Sequence, residues 1–529
     1  MAPSIGRAST LLASGTLVSR VLGFAKSWLL IQAIGIHAGG DAYTTATIVP
    51  NSIYAVITQG LLNAILVPQI VRAAAHPDGG RGYINKLVTL GMTIFLGVTV
   101  VATVCSPWLM HAYGLHGEQA ALATAFAYWS MPQIFFLGLY TLLGEVLNAR
   151  ESFGPFTWAP VFNNIVGIVM LGGFMLLFGG DPNSMRLLTH WSVGMVVLLA
   201  GGATLGIASQ ALVLFFFWRH VGLRYRPDFA WRGVNFAEAG RAAGWTFAML
   251  MATQLAGLVE TNVANSASGR NASVIVMTQS WAIFILPYSV IALSIVTAYY
   301  TRMANHAREN DYRSFRSDLS AALRSIAVTI AICSAVLIVT AYPIARFFTS
   351  SYAQMGNVLI AYLVGLVPLC LLFVLQRSFY ALGDTRTPFI FTCVQVAINV
   401  SGSLACLAVP IGFRAAAIAL VVSFAGTAQT ILAAVLLRRR LRHLGGRMIL
   451  TSLAKHTIAA VVAAAVGFGT LIALGGTSDG FAVSDKIPAL ISAIAIGAVM
   501  LLVYLIGLAA LRTPELRDAI GMLKARLAR

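Results

Sequence analysis

Acidic side chains are scarce in this sequence, with 17 Asp and Glu against 35 Lys and Arg in 529 residues, a formal net charge of +18 at pH 7. Charge of either sign is rare too, at 10% of residues, where a soluble domain carries about 25%. No polar module is present that could carry a basic face, so the excess of cations does not point to nucleic acid. Cysteine is limited to Cys105, Cys333, Cys370, Cys393 and Cys406, all in or at the ends of apolar stretches and without CxxC or metal-ligand spacing. These read as small core residues, neither a disulfide framework nor a metal site. The nine histidines form no HExxH pair, and there is no P-loop, no GxSxG and no dinucleotide fingerprint. The chain is therefore expected not to be an enzyme and to need no cofactor or metal. Any work it does must draw on a gradient, a potential or the supply of substrate.

What fills the space is apolar: 58% of residues are hydrophobic and the mean hydropathy is +0.83. That composition belongs to an all-α polytopic membrane protein. Stretches long enough to cross about 30 Å of hydrocarbon number about fourteen: 8–36, 43–75, 87–110, 117–147, 158–179, 192–218, 241–266, 272–301, 319–345, 355–382, 388–411, 414–437, 453–475 and 488–511. The first holds Arg20 and Lys26 and no small-residue cleavage site follows it, so it reads as a span and not as a cleavable signal.

Cations set the orientation. Arg219, Arg224, Arg226, Arg232 and Arg241 lie between spans six and seven, Arg302, Arg308, Arg313 and Arg316 follow span eight, and Arg438, Arg439, Arg440, Arg442 and Arg447 follow span twelve. The opposite side has isolated cations such as Arg186, Arg270, Arg346, Arg414 and Lys486. The positive-inside rule places both termini in the cytoplasm, with Arg512, Arg517, Lys524, Arg526 and Arg529 on the final tail.

An internal repeat is visible. Val49-Pro50-Asn51-Ser52-Ile53 in span two resembles Leu286-Pro287-Tyr288-Ser289-Val290 in span eight. Asn148-Ala149-Arg150 with Pro155-Phe156 after span four resembles Tyr380-Ala381-Leu382 with Pro388-Phe389 after span ten, at nearly the same displacement. A displacement of six spans preserves orientation, so two six-helix lobes, 1–235 and 236–440, are expected about a pseudo-twofold along the membrane normal. Residues 441–529 add a helix pair and a basic tail. Pro50 and Pro287 lie within their spans, where each removes a backbone hydrogen bond and permits a bend.

A charge inside a span costs several kcal/mol unless it meets water, a partner or a ligand. Arg20 and Lys26 are thus candidate anion ligands. Six residues of ideal helix rotate Lys26 by about 240° from Arg20, and Gly23 between them permits distortion. Asp41 is placed to cap span two, with Asn51, Gln59 and Asn63 further along it. Glu260 on span seven is a candidate for ion coupling or counter-charge, the alternative being solvation near the span's outer end. Glu145 and Arg377 lie near span ends, where they can snorkel. Arg377 opens a mixed-charge hairpin, Ser378-Phe379-Tyr380-Ala381-Leu382-Gly383-Asp384-Thr385-Arg386-Thr387-Pro388, that reads as a hinge, a clasp or a plain turn.

Ser19-Arg20-Val21-Leu22-Gly23-Phe24-Ala25-Lys26, then Asp41-Ala42-Tyr43, Pro50-Asn51, Gly60 and Val67-Pro68, closely resemble the first two helices of the MurJ (MviN) family of the multidrug/oligosaccharidyl-lipid/polysaccharide exporter superfamily. The hairpin Phe379 to Pro388 resembles that family's motif after its tenth helix. The resemblance implies a bacterial inner-membrane flippase that carries lipid II, undecaprenyl-diphosphate-MurNAc-pentapeptide-GlcNAc, to the periplasmic leaflet for peptidoglycan assembly by alternating access. It puts Arg20, Lys26 and Asp41 at the substrate; beside them the intramembrane polar residues Asn51 and Gln59 are candidates for substrate contact, and Pro50, Pro287, Arg377, Asp384 and Arg386 are candidate hinge or clasp residues by position, with packing or a plain turn the alternative. Lysine at 26 loses the bidentate phosphate pairing of arginine. Its partners would be lipid II, membrane lipids and the peptidoglycan synthesis machinery, and the last helix pair would form a groove for the lipid tail.

The sequence departs from the family at Ile53-Tyr54, at Gln59-Gly60, and at Trp281-Ala282, where an Asp-Arg pair is usual. Two further readings stand beside lipid II transport: a flippase for another polyprenyl-diphosphate glycan or a small-molecule antiporter of the same superfamily, and a non-transporting membrane scaffold for cell-wall enzymes.

Overall fold

The computed structural model describes residues 5–59, 62, 80–220, 225–230, 237–442, 446–478 and 480–516. All regular structure among them is helical. Twelve described helical stretches are long and apolar enough to cross a membrane. The fourteen expected spans are thus not all matched: the stretches from 43 and from 241 are missing from the twelve. Both carry polar residues that dilute their hydropathy, Asn51 and Gln59 in one and Glu260 in the other, and of the first only 43–59 and 62 are among the described residues. Gly60, Asn63, Val67, Pro68, Arg224, Arg232, Arg517, Lys524, Arg526 and Arg529 lie outside the described residues.

The chain divides into two compact units, Met1–Ile275 and Val276–Arg529. The first contains α1 (Ile5–Ile34), α2 (Ala38–Ile57), α3 (Arg81–Val104), α4 (Gly117–Ser130), α5 (Gln133–Ala149), α6 (Phe153–Phe178), α7 (Gly202–His220) and α8 (Ala237–Asn265). Here α1 and α7 flank α6, α5 packs on α7 and α3, and α2 lies against α4. Without a hydrophobic drive between helices in lipid, close approach and hydrogen bonds must hold them. Asn164 Nδ2 supplies such a bond, donating to the Ser19 carbonyl at 2.8 Å across α1 and α6.

The second unit begins within α9 (Val274–Pro287) and continues through α10 (Leu293–Arg308), α11 (Tyr312–Val339), α12 (Tyr352–Leu363), α13 (Leu366–Ala381), α14 (Arg386–Ala405), α15 (Ile411–Leu441), α16 (Gly446–Ala473) and α17 (Lys486–Ala510). The pair α16 and α17 packs on α11 through Ile332, Ala460, Ala463, Met500 and Tyr504. Gly467 admits Met500, whose Sδ lies 2.4 Å from where a Cβ at 467 would stand. Beyond α17, Glu515 folds back onto the pair. Arg324 Nη1 donates to it at 2.8 Å, Ser452 Oγ at 2.9 Å, and His456 Nε2 stands 3.4 Å from Oε2.

The two spans that carry the repeated proline are both interrupted. Pro287 closes α9 and a π-helical turn, Tyr288–Ala292, follows directly. Pro50 lies inside α2, and π-helical Thr58 and Gln59 follow that helix. The two repeated hairpins close with the same helix cap. After α5, Ser152 N donates to the Leu147 carbonyl and Glu151 N to that of Asn148, with Glu151 at φ 60. After α13, Asp384 N donates to Phe379 and Gly383 N to Tyr380, with Gly383 at φ 71. This paired pattern with one left-handed residue ends a helix sharply, so the repeat in the sequence is also a repeat of backbone geometry.

Candidate functional site

On α1, Arg20 and Lys26 are both half-buried. Neither has an ion pair among the described residues. Lys26 enters a cavity of about 260 Å³ lined by Gly23, Tyr43, Asn164, Gly167 and Leu198 among others. Its Nζ donates to Asn163 Oδ1 at 3.4 Å, and Asn163 Nδ2 donates in turn to Gln210 Oε1 at 3.2 Å. Gly167 makes room for the stem: a Cβ there would stand 2.6 Å from Lys26 Cε. An ammonium has three donors, and a neutral amide leaves its charge uncompensated, so the cavity suits an anion.

Asp41 is fully buried. The expectation that it caps α2 is corrected: α2 begins after His37 with no side-chain cap, because the Asp41 carboxylate serves another helix. Its Oδ1 accepts from Ile275 N at 3.0 Å and its Oδ2 from the Ser268 hydroxyl. Ile275 is in the first turn of α9, where free N–H groups and the helix dipole favour a carboxylate. The same end of α8 is held by Asn265 Nδ2, which donates to Tyr113 O at 2.8 Å and to Thr45 Oγ1 at 3.2 Å.

The remaining predicted residues are more dispersed. Asn51 is exposed and its Nδ2 returns to the Thr47 carbonyl of its own helix at 2.8 Å. Gln59 and Glu260 are half-buried on α2's extension and on α8. Arg377 lies over the rings of Phe373 and Tyr300, at 5.1 and 5.3 Å. Asp384 accepts from Thr387 N at 3.0 Å and Thr387 Oγ1 at 2.8 Å and pairs with Arg440 at the end of α15. Arg386 is exposed at the start of α14. In place of the family's Asp-Arg pair, Trp281 joins an aromatic cluster, its ring 4.8 Å from Phe284 and 5.3 Å from Tyr362.

Asn163, Asn164 and Gln210 were not singled out in the sequence. The signal was there: two adjacent amides in the middle of a span as apolar as α6 must find hydrogen-bond partners.

Residues 30–487 match the family described as Lipid II flippase MurJ. The chain belongs to the MurJ family. Among MurJ relatives, a probable lipid II flippase of Rhizobium tropici is 24% identical over 521 residues, covering 93% of this chain and 92% of that protein. The lipid II flippase MurJ of Burkholderia cenocepacia is 25% identical over 409 residues, covering 73% and 74%. A solved MurJ structure in an inward closed conformation superposes with a TM-score of 0.73 at 21% identity, over 97% of this chain and all of that one. An inward-facing multidrug transporter of the MATE family reaches 0.63 at 17% identity, over 81% of this chain and 96% of its own. These structural likenesses carry the fold alone. The MurJ match begins after Arg20 and Lys26, so the assignment of those two cations rests on their motif and on the cavity around Lys26.

Proposed function

We propose that the protein is a lipid II flippase, moving the polyprenyl-diphosphate disaccharide-pentapeptide from the cytoplasmic to the outer leaflet of the bacterial plasma membrane. Membership of the MurJ family over residues 30–487 is the observation that carries this reading. Arg20 and Lys26 bind the diphosphate, since both are intramembrane cations without an acidic partner among the described residues. Arginine grips phosphate with two parallel donors and lysine acts as a point charge. Asn51 and Gln59 contribute neutral donors to the head group, and Asp41 holds the start of α9 in register with α2.

The lobes proposed from the repeat, 1–235 and 236–440, reorient as rigid bodies about the Pro50 and Pro287 spans, and 441–529 shelters the lipid tail. Both termini lie in the cytoplasm, a reading supported by the basic residues that follow α10 and α15 in the sequence. Membrane potential supplies about 2.3 kcal/mol per charge per 100 mV, and Glu260 is the counter-charge or coupling group. The transported lipid then feeds peptidoglycan polymerisation outside, and the protein itself makes and breaks no covalent bond.

The test is externalisation of lipid II in cells depleted of their own flippase and supplied with wild type or Arg20→Ala. Wild type restores outer-leaflet lipid II and growth, and Arg20→Ala restores neither. Lipid II levels untouched by depletion of this protein would remove the function; full rescue by Arg20→Ala would remove Arg20 from the site.

A further inference from the structure

Within the second unit, the ends of α10, α13 and α15 and the start of α11 surround a pocket of about 480 Å³. Four arginines line it, Arg308, Arg316, Arg440 and Arg442, with Ala307, Tyr312, Ala381, Leu382 and Leu441 as its apolar surface. Arginines at the C-terminal ends of helices ordinarily answer the helix dipole, and Arg308 and Arg440, in the last turns of their helices, fit that role.

The other two do not reduce to it. Arg316 is at the beginning of α11, and its guanidinium reaches across to the Leu441 carbonyl at 3.4 Å while Nε holds Tyr312 O at 2.9 Å. Arg442 is the C-cap of α15 and stands at φ 62, a positive φ that costs a non-glycine residue energy and gathers at functional sites. Among the described residues, the one carboxylate ion-paired to this group is Asp384, on Arg440, and Arg308, Arg316 and Arg442 have no ion pair.

We propose that this pocket is a binding site for a phosphate-ester anion, separate from the transport site on α1. Guanidinium groups with open forks are matched to phosphate oxygens. The apolar surface beside them fits a ligand whose phosphate is joined to a hydrocarbon body. A glycerophospholipid of the adjoining leaflet has both parts, and free phosphate has the first alone. The site belongs to one unit and does not depend on which lipid the protein transports. Occupied, it ties the α10–α11 turn to the end of α15, so it stabilises the unit that contains it.

The full chain, purified in neutral detergent, is titrated with dioleoylphosphatidylglycerol, with dioleoylphosphatidylcholine, and with sodium phosphate against sodium chloride at equal ionic strength, and thermal unfolding is followed by tryptophan fluorescence. Phosphatidylglycerol raises the transition temperature of wild type, and the concentration needed rises about tenfold or more in R308Q/R442Q, as expected for two lost arginine contacts. The pair R438Q/R439Q, on the same basic run but outside the pocket, keeps the wild-type response. An equal shift from sodium phosphate identifies a soluble anion as the ligand, and a shift confined to phosphatidylglycerol identifies the lipid. Arg442→Gly, which accepts the positive φ without strain, serves if the double variant does not fold. The proposal is overturned if no phosphate probe stabilises wild type, if R308Q/R442Q responds as wild type does, or if both double variants lose the response equally.

Discussion

The carboxylate of Asp41 receives the backbone N–H of Ile275 at 3.0 Å, so a residue in the first turn of α2 caps the first turn of α9. The bond joins positions 234 apart in sequence, and the hydroxyl of Ser268 occupies the other carboxylate oxygen.

Asp41→Ala leaves the fully buried Ile275 N–H and the half-buried Ser268 hydroxyl without their acceptor. Unpaired buried donors cost about 1–3 kcal/mol each, so the variant should unfold at a clearly lower temperature in detergent. Asp41→Asn keeps an acceptor oxygen and loses the charge, and should fall between the two. An unchanged melting curve for Asp41→Ala would remove the cap from the account.

Gly167→Ala tests the seat of Lys26. The added methyl meets the flexible end of the lysine and not backbone, so stability should change by less than about 1 kcal/mol. The ammonium, however, is pushed away from Asn163, and lipid II externalisation should drop with little change in melting temperature. Parallel loss of both would mean that the glycine serves packing alone.

Glu515 makes the attachment of the C-terminal helix pair sensitive to acid. Burial opposes its ionisation, but its own backbone N–H, Ser452, His456 and Arg324 together outweigh burial and hold its carboxyl below the ordinary value. A depressed carboxyl pKa contributes stability that is present above the unfolded value of about 4.3 and lost as pH falls through the lower, folded one. Melting temperature should therefore decline in that acid range, and the decline should flatten in Glu515→Gln. At neutral pH the same variant should lose roughly 1–3 kcal/mol, because Arg324 keeps a mostly buried charge without its partner.

Asp384 and Arg440 form a more exposed pair, with side-chain exposures of 16% and 41%. Such pairs contribute about 0–1 kcal/mol. Arg440→Ala should accordingly change stability by under about 1 kcal/mol. Asp384→Ala should cost more, since it also removes the acceptor for Thr387 N and Oγ1 at the start of α14. Equal effects from the two would contradict this division.

Most of the helical architecture was legible because hydropathy is a property of consecutive residues. The expected spans from 158 to 179 and from 488 to 511 coincide closely with Phe153–Phe178 and Lys486–Ala510. The repeated hairpin was legible for the same reason, as its cap uses neighbours in sequence. What the sequence hid was every partner chosen across the fold. The wheel angle between Arg20 and Lys26 asked for a distortion at Gly23 if both were to face one cavity, yet nothing local pointed to Asn163, 137 positions from Lys26. Asp41 was recognisable as a capping residue, but not the helix it would cap. Glu515 was missed because a lone acid after the last span carries no pattern until Arg324, Ser452 and His456 are brought around it.

The π-helical turn after Pro287 has a geometric result for the whole span. One residue beyond the α-helical count advances the winding by about 100°, so α10 is out of phase with α9. Trp281 and Phe284, before the turn, share a face that no projection through Leu293 continues. Val274–Arg308 is therefore one stretch long and apolar enough to cross a membrane but with two azimuths, and its two ends can address different neighbours without either helix twisting.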